Sequence, residues 1–269
     1  MRLDLYLSEN GFCRSRSRAK ELIVSGAVTV GGKTVLRPSY EVCDGDAVAC
    51  DTSAQCRYVS RGGLKLERAL DCFGISPEGL VCIDIGASTG GFTDCLLQHG
   101  AAKVYAIDSG TAQLDISLAS DSRVVSYENM NARYITSADI GGKCRLAVMD
   151  VSFISITKIL PAAAAIMGEG GEFISLIKPQ FEAGRDRVGK KGVVRDAQVH
   201  LDVVKEILQF IDADMGWTAQ NLSFSPIKGP EGNIEFLVHI LPKCRATHCV
   251  TEQEAAEVVR QAHESLGNA

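Results

Sequence analysis

Four residues able to do chemistry stand at the ends of apolar runs: Asp84 after Leu80 to Ile83, Asp108 after Val104 to Ile107, Asp150 after LAVM and Lys178 after FISLI. The stretch DIGASTGGFTD, from Asp84 to Asp94, reads as a strand, a tight loop and a helix start, an arrangement whose backbone N–H groups line a small-ligand site. Its order, Gly86-Ala87-Ser88-Thr89-Gly90-Gly91, departs from the G-x-G-x-x-G fingerprint of dinucleotide sites. A carboxylate at the strand end repels a pyrophosphate but suits a ligand that carries an ammonium and a sulfonium. That points to S-adenosylmethionine rather than NAD. Asp108 lies about 20 residues further on, where an acidic residue grips ribose hydroxyls in nucleotide-binding α/β folds. The cofactor candidates are therefore Asp84, Gly86, Ser88, Thr89, Gly90, Gly91, Phe92 and Asp108, with Asn131 added on position alone as an adenine contact. The bland alternative is that any strand followed by a glycine-rich turn has this appearance.

Asp150 and Lys178 raise a different possibility. A lysine that closes an apolar strand and meets Pro179 is poorly explained as a solubilising surface residue. It either forms a structural ion pair with a neighbouring carboxylate or accepts a proton. Lys65 in Arg61-Gly62-Gly63-Leu64-Lys65-Leu66 and Glu235 in Gly229-Pro230-Glu231-Gly232-Asn233-Ile234-Glu235-Phe236 lie at element edges. Singly, they read as a helix-surface lysine and a strand-edge glutamate.

The elements that position these residues alternate along most of the chain. Leu64 to Phe73 reads as a helix, followed by strands at 80 to 83, 104 to 107, 124 to 125, 146 to 149, 172 to 177, 222 to 225 and 235 to 240. Helices begin near Phe92, Leu114, Ile154 and Val199, and Thr251 to Ser265 is amphipathic. Such alternation predicts an α/β fold with a mostly parallel sheet covered on both faces. Ligands then sit beyond the carboxyl ends of the strands, at the switch in strand order, where all four strand-end residues converge. Ahead of this part, Leu3 and Leu7 mark a short helix, and Ala19, Leu22 and Ile23 form the apolar face of a second. Gly31-Gly32 between two short β-rich runs is a hairpin signal, and Ala47 to Cys50 is a further strand. Asp51 to Arg57 is polar and aperiodic, so the expected division is 1–55, a linker at 56–61, and 62–269.

With 269 residues and 46% hydrophobic content, the chain has room for one large domain and one small one. No apolar run reaches spanning length, and the first residues lack a signal-peptide core, so the expectation is a cytoplasmic protein. The ten cysteines form no C-x-x-C pair, and Cys72, Cys82, Cys95 and Cys144 read as reduced core thiols. The histidines show no ligand spacing, and no metal is expected. A net charge of −5 argues at first against nucleic acid, but the charge is unevenly spread. Arg14, Arg16, Arg18 and Lys20 form one basic cluster. Lys178 to Arg195 carries six cations against two anions, including Arg185, Arg187, Lys190 and Lys191. This second stretch reads as a mobile basic loop able to clamp an RNA backbone, or as an ordinary surface loop.

Two resemblances organise these motifs. RLDLYLSENGFCRSRSRAKELIVSGAVTVGGKTVLRPS resembles the S4-like RNA-binding module, with Arg2, Arg14, Arg16, Arg18 and Lys20 as candidate contacts. Basic side chains without interleaved aromatics suit phosphates and RNA shape more than unpaired bases. SRGGLKL, DIGASTGGFTD, MDVSFIS, LIKPQFE and KGPEGNIEF, in that order, resemble the TlyA (hemolysin A) family, which joins an S4-like domain to an FtsJ-like ribose methyltransferase. The resemblance implies a Rossmann-like class I methyltransferase fold and S-adenosylmethionine as cofactor. It implies 2′-O-methylation of ribosomal RNA, typically at cytidine, with ribosomal RNA or subunits as partners and no membrane. It also assigns Lys65, Asp150, Lys178 and Glu235 to a Lys-Asp-Lys-Glu catalytic set. Free lysine titrates near ~10.4, so a lysine base has to be desolvated or held near another cation. Lys65 suits that second cation, with Asp150 and Glu235 orienting the two amines. Two other readings stand beside this one: an RNA-binding ribosome-assembly factor with an inactive methyltransferase fold, and a membrane-active hemolysin, which the acidic tail helix disfavours.

Overall fold

The computed structural model describes residues 1–13, 16–24, 26–50, 57–140 and 142–267. Its contacts divide the chain into two compact units, Met1–Ser60 and Arg61–Ala269. Arg14 and the first residue of the expected linker, 56, lie outside the described residues, whereas 57–61 lie within them.

In the first unit, helix α1 (Leu3–Glu9) and helix α2 (Arg16–Val24) pack on a three-stranded antiparallel sheet of β1 (Val28–Val30), β2 (Lys33–Thr34) and β3 (Val48–Cys50), in the order β2-β1-β3. Leu3, Leu7, Ala19, Leu22, Ile23, Val28, Val30 and Val42 make its core. The helix spacing of Leu3 and Leu7 thus faces them inward, as the sequence predicts. The Gly31-Gly32 turn pairs Val30 with Lys33.

The second unit opens with α3 (Gly62–Phe73) and continues through β4 (Val81–Ile85), α4 (Gly91–Gln98), β5 (Lys103–Ile107), α5 (Ile116–Ala119), β6 (Val124–Tyr127) and β7 (Cys144–Met149). Then come α6 (Leu160–Ala165), β8 (Met167–Ile177), α7 (Pro179–Glu182), α8 (Ala197–Gln209), β9 (Trp217–Phe224), β10 (Phe236–Pro242) and α9 (Glu252–Leu266). The seven strands lie in the order β6-β5-β4-β7-β8-β10-β9. β6 to β8 are parallel, while β10 runs antiparallel to both β8 and β9. Ile83, Ile85, Ile107, Ala147, Met149, Phe173, Ile177 and Phe236 form the middle of one apolar core. These strands are near-continuous apolar runs because helices cover both faces of a parallel sheet.

Three local expectations change. The helix expected near Leu114 shrinks to the four residues of α5, and the one from Ile154 splits into a 3-10 turn (Ile156–Lys158) and α6. Cys72, read as a core thiol, is exposed, whereas Cys82, Cys95 and Cys144 are buried. Helical periodicity alone does not separate the last turn of a covering helix from its buried middle.

Candidate active site

Strand order fixes where a site can form. From β4 the chain steps outward to β5 and β6, then returns to the other side of β4 as β7, so the switch point lies between β4 and β7. The carboxyl ends there are held by short backbone bonds: Gly86 and Ala87 donate to the Ile107 carbonyl, and Asp150 donates to that of Ile85 at 3.1 Å. Gly86 has φ +85°, and a Cβ on it would lie 2.8 Å from the backbone oxygen of Asp150. Any other residue would push the two strand ends apart.

A cleft of about 500 Å³ opens over this point, lined by Gly86, Ser88, Asp108, Asn131, Asp150 and Phe153 among others. That is within the usual size of a small-molecule site. Asp108 accepts from Ser88 N at 2.8 Å and from Gly110 N at 2.7 Å, so its carboxylate is fixed at the rim beneath the loop. Asn131 caps the 3-10 turn that follows it by accepting from Arg133 N. Four of the nine cofactor candidates thus line the cleft. The others sit elsewhere: Thr89 is exposed, Gly90 packs against Leu114 and Leu118, Gly91 opens α4, and Phe92 is buried.

Asp84 lies deeper in the fold than its place at a strand end predicts. β4 runs two residues beyond Ile83, so Asp84 is inside the strand and fully buried, and its carboxylate accepts from Thr93 Oγ1 at 2.7 Å. Its other oxygen has no partner among the described residues. Burial pushes the Asp84 carboxyl up to about 7, the Thr93 bond pulls it partly back, and the Asp150 and Asp108 carboxylates push it further up. It ties the β4 end to α4 from below rather than lining the cleft.

Lys65, Asp150, Lys178 and Glu235 do meet. Lys178 Nζ lies 2.5 Å from Asp150 Oδ1 and donates to Ser152 Oγ at 2.9 Å. Lys65 Nζ lies 2.5 Å from Glu235 Oε2 and 3.8 Å from Asp150 Oδ2. The result is an alternating chain, Glu235, Lys65, Asp150, Lys178, in which two amines alternate with two carboxylates. Glu235 is wholly buried, both lysines nearly so, and Asp150 retains 19% of its side-chain exposure toward the cleft. Burial lowers the Lys65 amine, but the Asp150 and Glu235 carboxylates outweigh it and hold that amine above its ordinary value. Lys65 is therefore a standing cation.

Each side chain arrives by a different route. Lys65 comes from the first turn of α3, Asp150 follows β7, and Lys178 caps α7 at the end of β8. Glu235 immediately precedes β10. Because β10 is antiparallel, with Phe236 paired to Ile177, its start lies at the end of the sheet where the parallel strands finish. Gly229 approaches Glu235 so closely that a Cβ would lie 2.2 Å from Oε1.

Two residues escaped the sequence reading. Ser152 holds Lys178, and Phe153 is 91% exposed at φ +63°, with its ring 5.1 Å from that of Phe181. A bulky residue in the left-handed region costs about 1–3 kcal/mol. The strain holds an aromatic ring in water beside the cleft. A phenylalanine after a strand otherwise looks like core, which hides it in the sequence.

The basic candidates divide. Arg185, Lys190 and Lys191 are exposed, but Arg187 is committed to Ala183 O, Glu206 and Asp202. The stretch read as mobile is anchored: buried Asn233 accepts from Val194 N and donates to Gly192 O, and Val193 and Val194 are buried. In the first unit, Arg2 and Arg16 pair with Asp4, and Lys20 is exposed.

Comparison with known proteins gives two family matches: residues 58–240 match the FtsJ-like methyltransferase model, and residues 1–48 match the S4 domain. The chain is 46% identical over 268 residues to the Bacillus subtilis protein named "Putative rRNA methyltransferase YqxC", covering 98% of this chain and 95% of that one. It is 42% identical to the 16S/23S rRNA (cytidine-2′-O)-methyltransferase TlyA of Mycobacterium tuberculosis, covering 88% of each. A solved structure described as a putative hemolysin from Streptococcus thermophilus superposes with a TM-score of 0.80 at 42% identity, over 99% of this chain and 97% of that one.

Proposed function

Because the chain belongs to the FtsJ-like methyltransferase family and, within it, groups with the TlyA (hemolysin A) proteins, we propose that it transfers a methyl group from S-adenosylmethionine to a ribose 2′-hydroxyl of ribosomal RNA. Cytidine is the nucleotide we infer, and the cytoplasm the place. The observation that carries the reading is the buried Lys65–Asp150–Lys178–Glu235 chain beside the cleft at the sheet's switch point.

The cleft suits the cofactor: Asp108 offers a fixed carboxylate for a ribose diol, Gly86 and Ser88 offer loop backbone, and Asn131 lines the side where an adenine would rest. S-adenosylmethionine, when bound, supplies an electrophilic methyl on a sulfonium. The protein's task is to align a hydroxyl and take its proton, and positioning supplies much of the rate. Lys178, held between Asp150 and Ser152, is the proton acceptor. Lys65, kept charged by Glu235, holds the hydroxyl oxygen and places a cation near the base. Asp150 contacts both amines and sets their separation. Phe153 and Phe181 give the target nucleotide an aromatic face at the mouth of the site.

The reading of an inactive assembly factor leaves the buried Lys65–Asp150–Lys178–Glu235 array without a role. The hemolysin reading finds no helix among the described residues long and apolar enough to cross a membrane. Mass spectrometry of ribosomal RNA from cells with and without the gene is the test. A 2′-O-methylated nucleotide should vanish with the gene and return with the wild-type protein but not with Lys178→Ala. An unchanged modification profile refutes the proposal.

A further inference from the structure

The N-terminal unit carries a carboxylate that its charge pattern alone does not explain. Asp4, on the first turn of α1, has no solvent exposure, an unusual state for an aspartate in so small a unit. It is covered by two arginines. Arg2 Nε donates to Oδ1 at 3.0 Å and Arg2 Nη2 to Oδ2 at 3.1 Å, a bidentate fork. Arg16 Nη2 donates to the same Oδ2 at 3.1 Å, from the start of α2. One buried oxygen therefore makes neighbours of two guanidiniums, one from the N-cap of α1 and one from the first turn of α2. Each arginine stays about half exposed, and the Nη1 groups carry no hydrogen bond among the described residues.

On the reading that this unit contacts RNA, we propose that Asp4 is a positioning residue for recognition: it fixes Arg2 and Arg16 as a paired clamp for neighbouring phosphates of a structured RNA. Two like charges side by side repel, and long side chains lose rotamer freedom when they bind. Asp4 offsets both costs before RNA arrives, since its carboxyl is held near 2 chiefly by the Arg2 hydrogen bond and stays ionised at every working pH. The planar fork of arginine matches a phosphate in a way that a lysine point charge does not.

The alternative is that Asp4 only neutralises and stabilises. The two roles predict opposite signs. Asp4→Asn removes a negative charge from an RNA-facing surface, so simple electrostatics makes RNA binding tighter. Loss of positioning makes it weaker, by roughly threefold to tenfold, the scale of one or two hydrogen bonds at a wet interface.

The test uses the full chain, with anisotropy of a labelled stem-loop and a single strand of the same composition across a potassium chloride series. We expect Asp4→Asn to weaken stem-loop binding and narrow its preference over the single strand. Arg16→Lys, at a half-exposed site that leaves charge unchanged, is expected to do the same and decides the matter should Asp4→Asn fail to fold. If Arg2→Ala/Arg16→Ala weakens binding while Asp4→Asn or Arg16→Lys binds as tightly as the wild type, positioning is refuted and the RNA-binding reading survives. Wild-type affinity in the double alanine variant refutes the RNA-binding reading for this cluster instead.

Discussion

Replacing Asp84 by asparagine should stabilise this protein above neutral pH and destabilise it in mild acid. In the fold, burial raises the carboxyl from its ordinary 3.8 to about 7. The folded state therefore keeps a proton that the unfolded chain releases between about pH 4 and 7. The sign follows: the wild type has its full stability below the unfolded value and loses this contribution as pH rises through the folded one. At ~1.4 kcal/mol per tenfold change in proton affinity, the full loss is roughly 4 kcal/mol. Asparagine keeps the acceptor for Thr93 but leaves its amide at the position of the partnerless oxygen, a penalty of about 1–3 kcal/mol. A net gain of roughly 1–3 kcal/mol at pH 8 remains. Trp217, the only tryptophan and located on β9, reports unfolding of the larger unit. With a slope of ~2–3 kcal/mol per M, the urea midpoint should move up by about 0.5–1 M at pH 8 and fall below wild type by about the same amount at pH 4. Wild-type and variant curves that stay parallel from pH 4 to 8 would refute a neutralised Asp84. Because the carboxylate does not reach the cleft, calorimetry should also find S-adenosylmethionine affinity within about threefold of wild type. A larger loss would restore the direct contact read from the sequence.

The remaining expectations concern the site and its supports. Lys178→Ala should lower single-turnover methyl transfer by at least ~10³-fold while cofactor affinity changes little, because the loss falls on the transition state; wild-type turnover would mean that another group takes the proton. Phe153→Ala should reduce kcat/KM for ribosomal RNA by about tenfold, the scale of one base stacked on an aromatic ring, and Phe153→Trp should recover most of it; equal activity of all three would make the exposed ring incidental. His200 is buried with Nδ1 2.8 Å from His263 Nε2, and burial, then His263, lowers it to about 4. A depressed histidine gives stability above its unfolded value that is lost as pH falls from about 6.5 toward 4, on the order of 3 kcal/mol at most. His200→Gln should flatten that acid limb in urea titrations, and an unchanged limb would place the sensitivity elsewhere.

Much of the frame was legible because it rests on periodicity. Strand ends at Asp108, Asp150 and Lys178 follow from apolar runs closed by charged residues, and the helix spacing of Leu3, Leu7, Ala19, Leu22 and Ile23 gave the core of the small unit. What was hidden depends on lengths and partners. Two further residues in β4 moved Asp84 from the rim to the interior, since a sheet covered by helices on both faces buries either side of the strand. Arg187 carries a charge that sequence assigns to RNA and packing assigns to Asp202 and Glu206. Composition does not say which cation is already satisfied.

The proposed catalytic set shows why topology and chemistry cannot be read separately. In an all-parallel sheet every residue just before a strand lies at the amino edge, far from the switch point. Glu235 precedes its strand and yet meets Lys65 at 2.5 Å because β10 is inserted antiparallel between β8 and β9. The buried lysine at the start of α3 needs a second anion, since Asp150 at 3.8 Å is already shared with Lys178 at 2.5 Å. Removing one partner of a buried pair costs about 3–5 kcal/mol, so Lys65 without Glu235 would lose its proton or leave the site. Losing the proton would forfeit the standing cation, and leaving would unseat α3. The reversed strand is therefore a chemical requirement of the site: it delivers the one carboxylate that lets a second lysine remain charged beside the first.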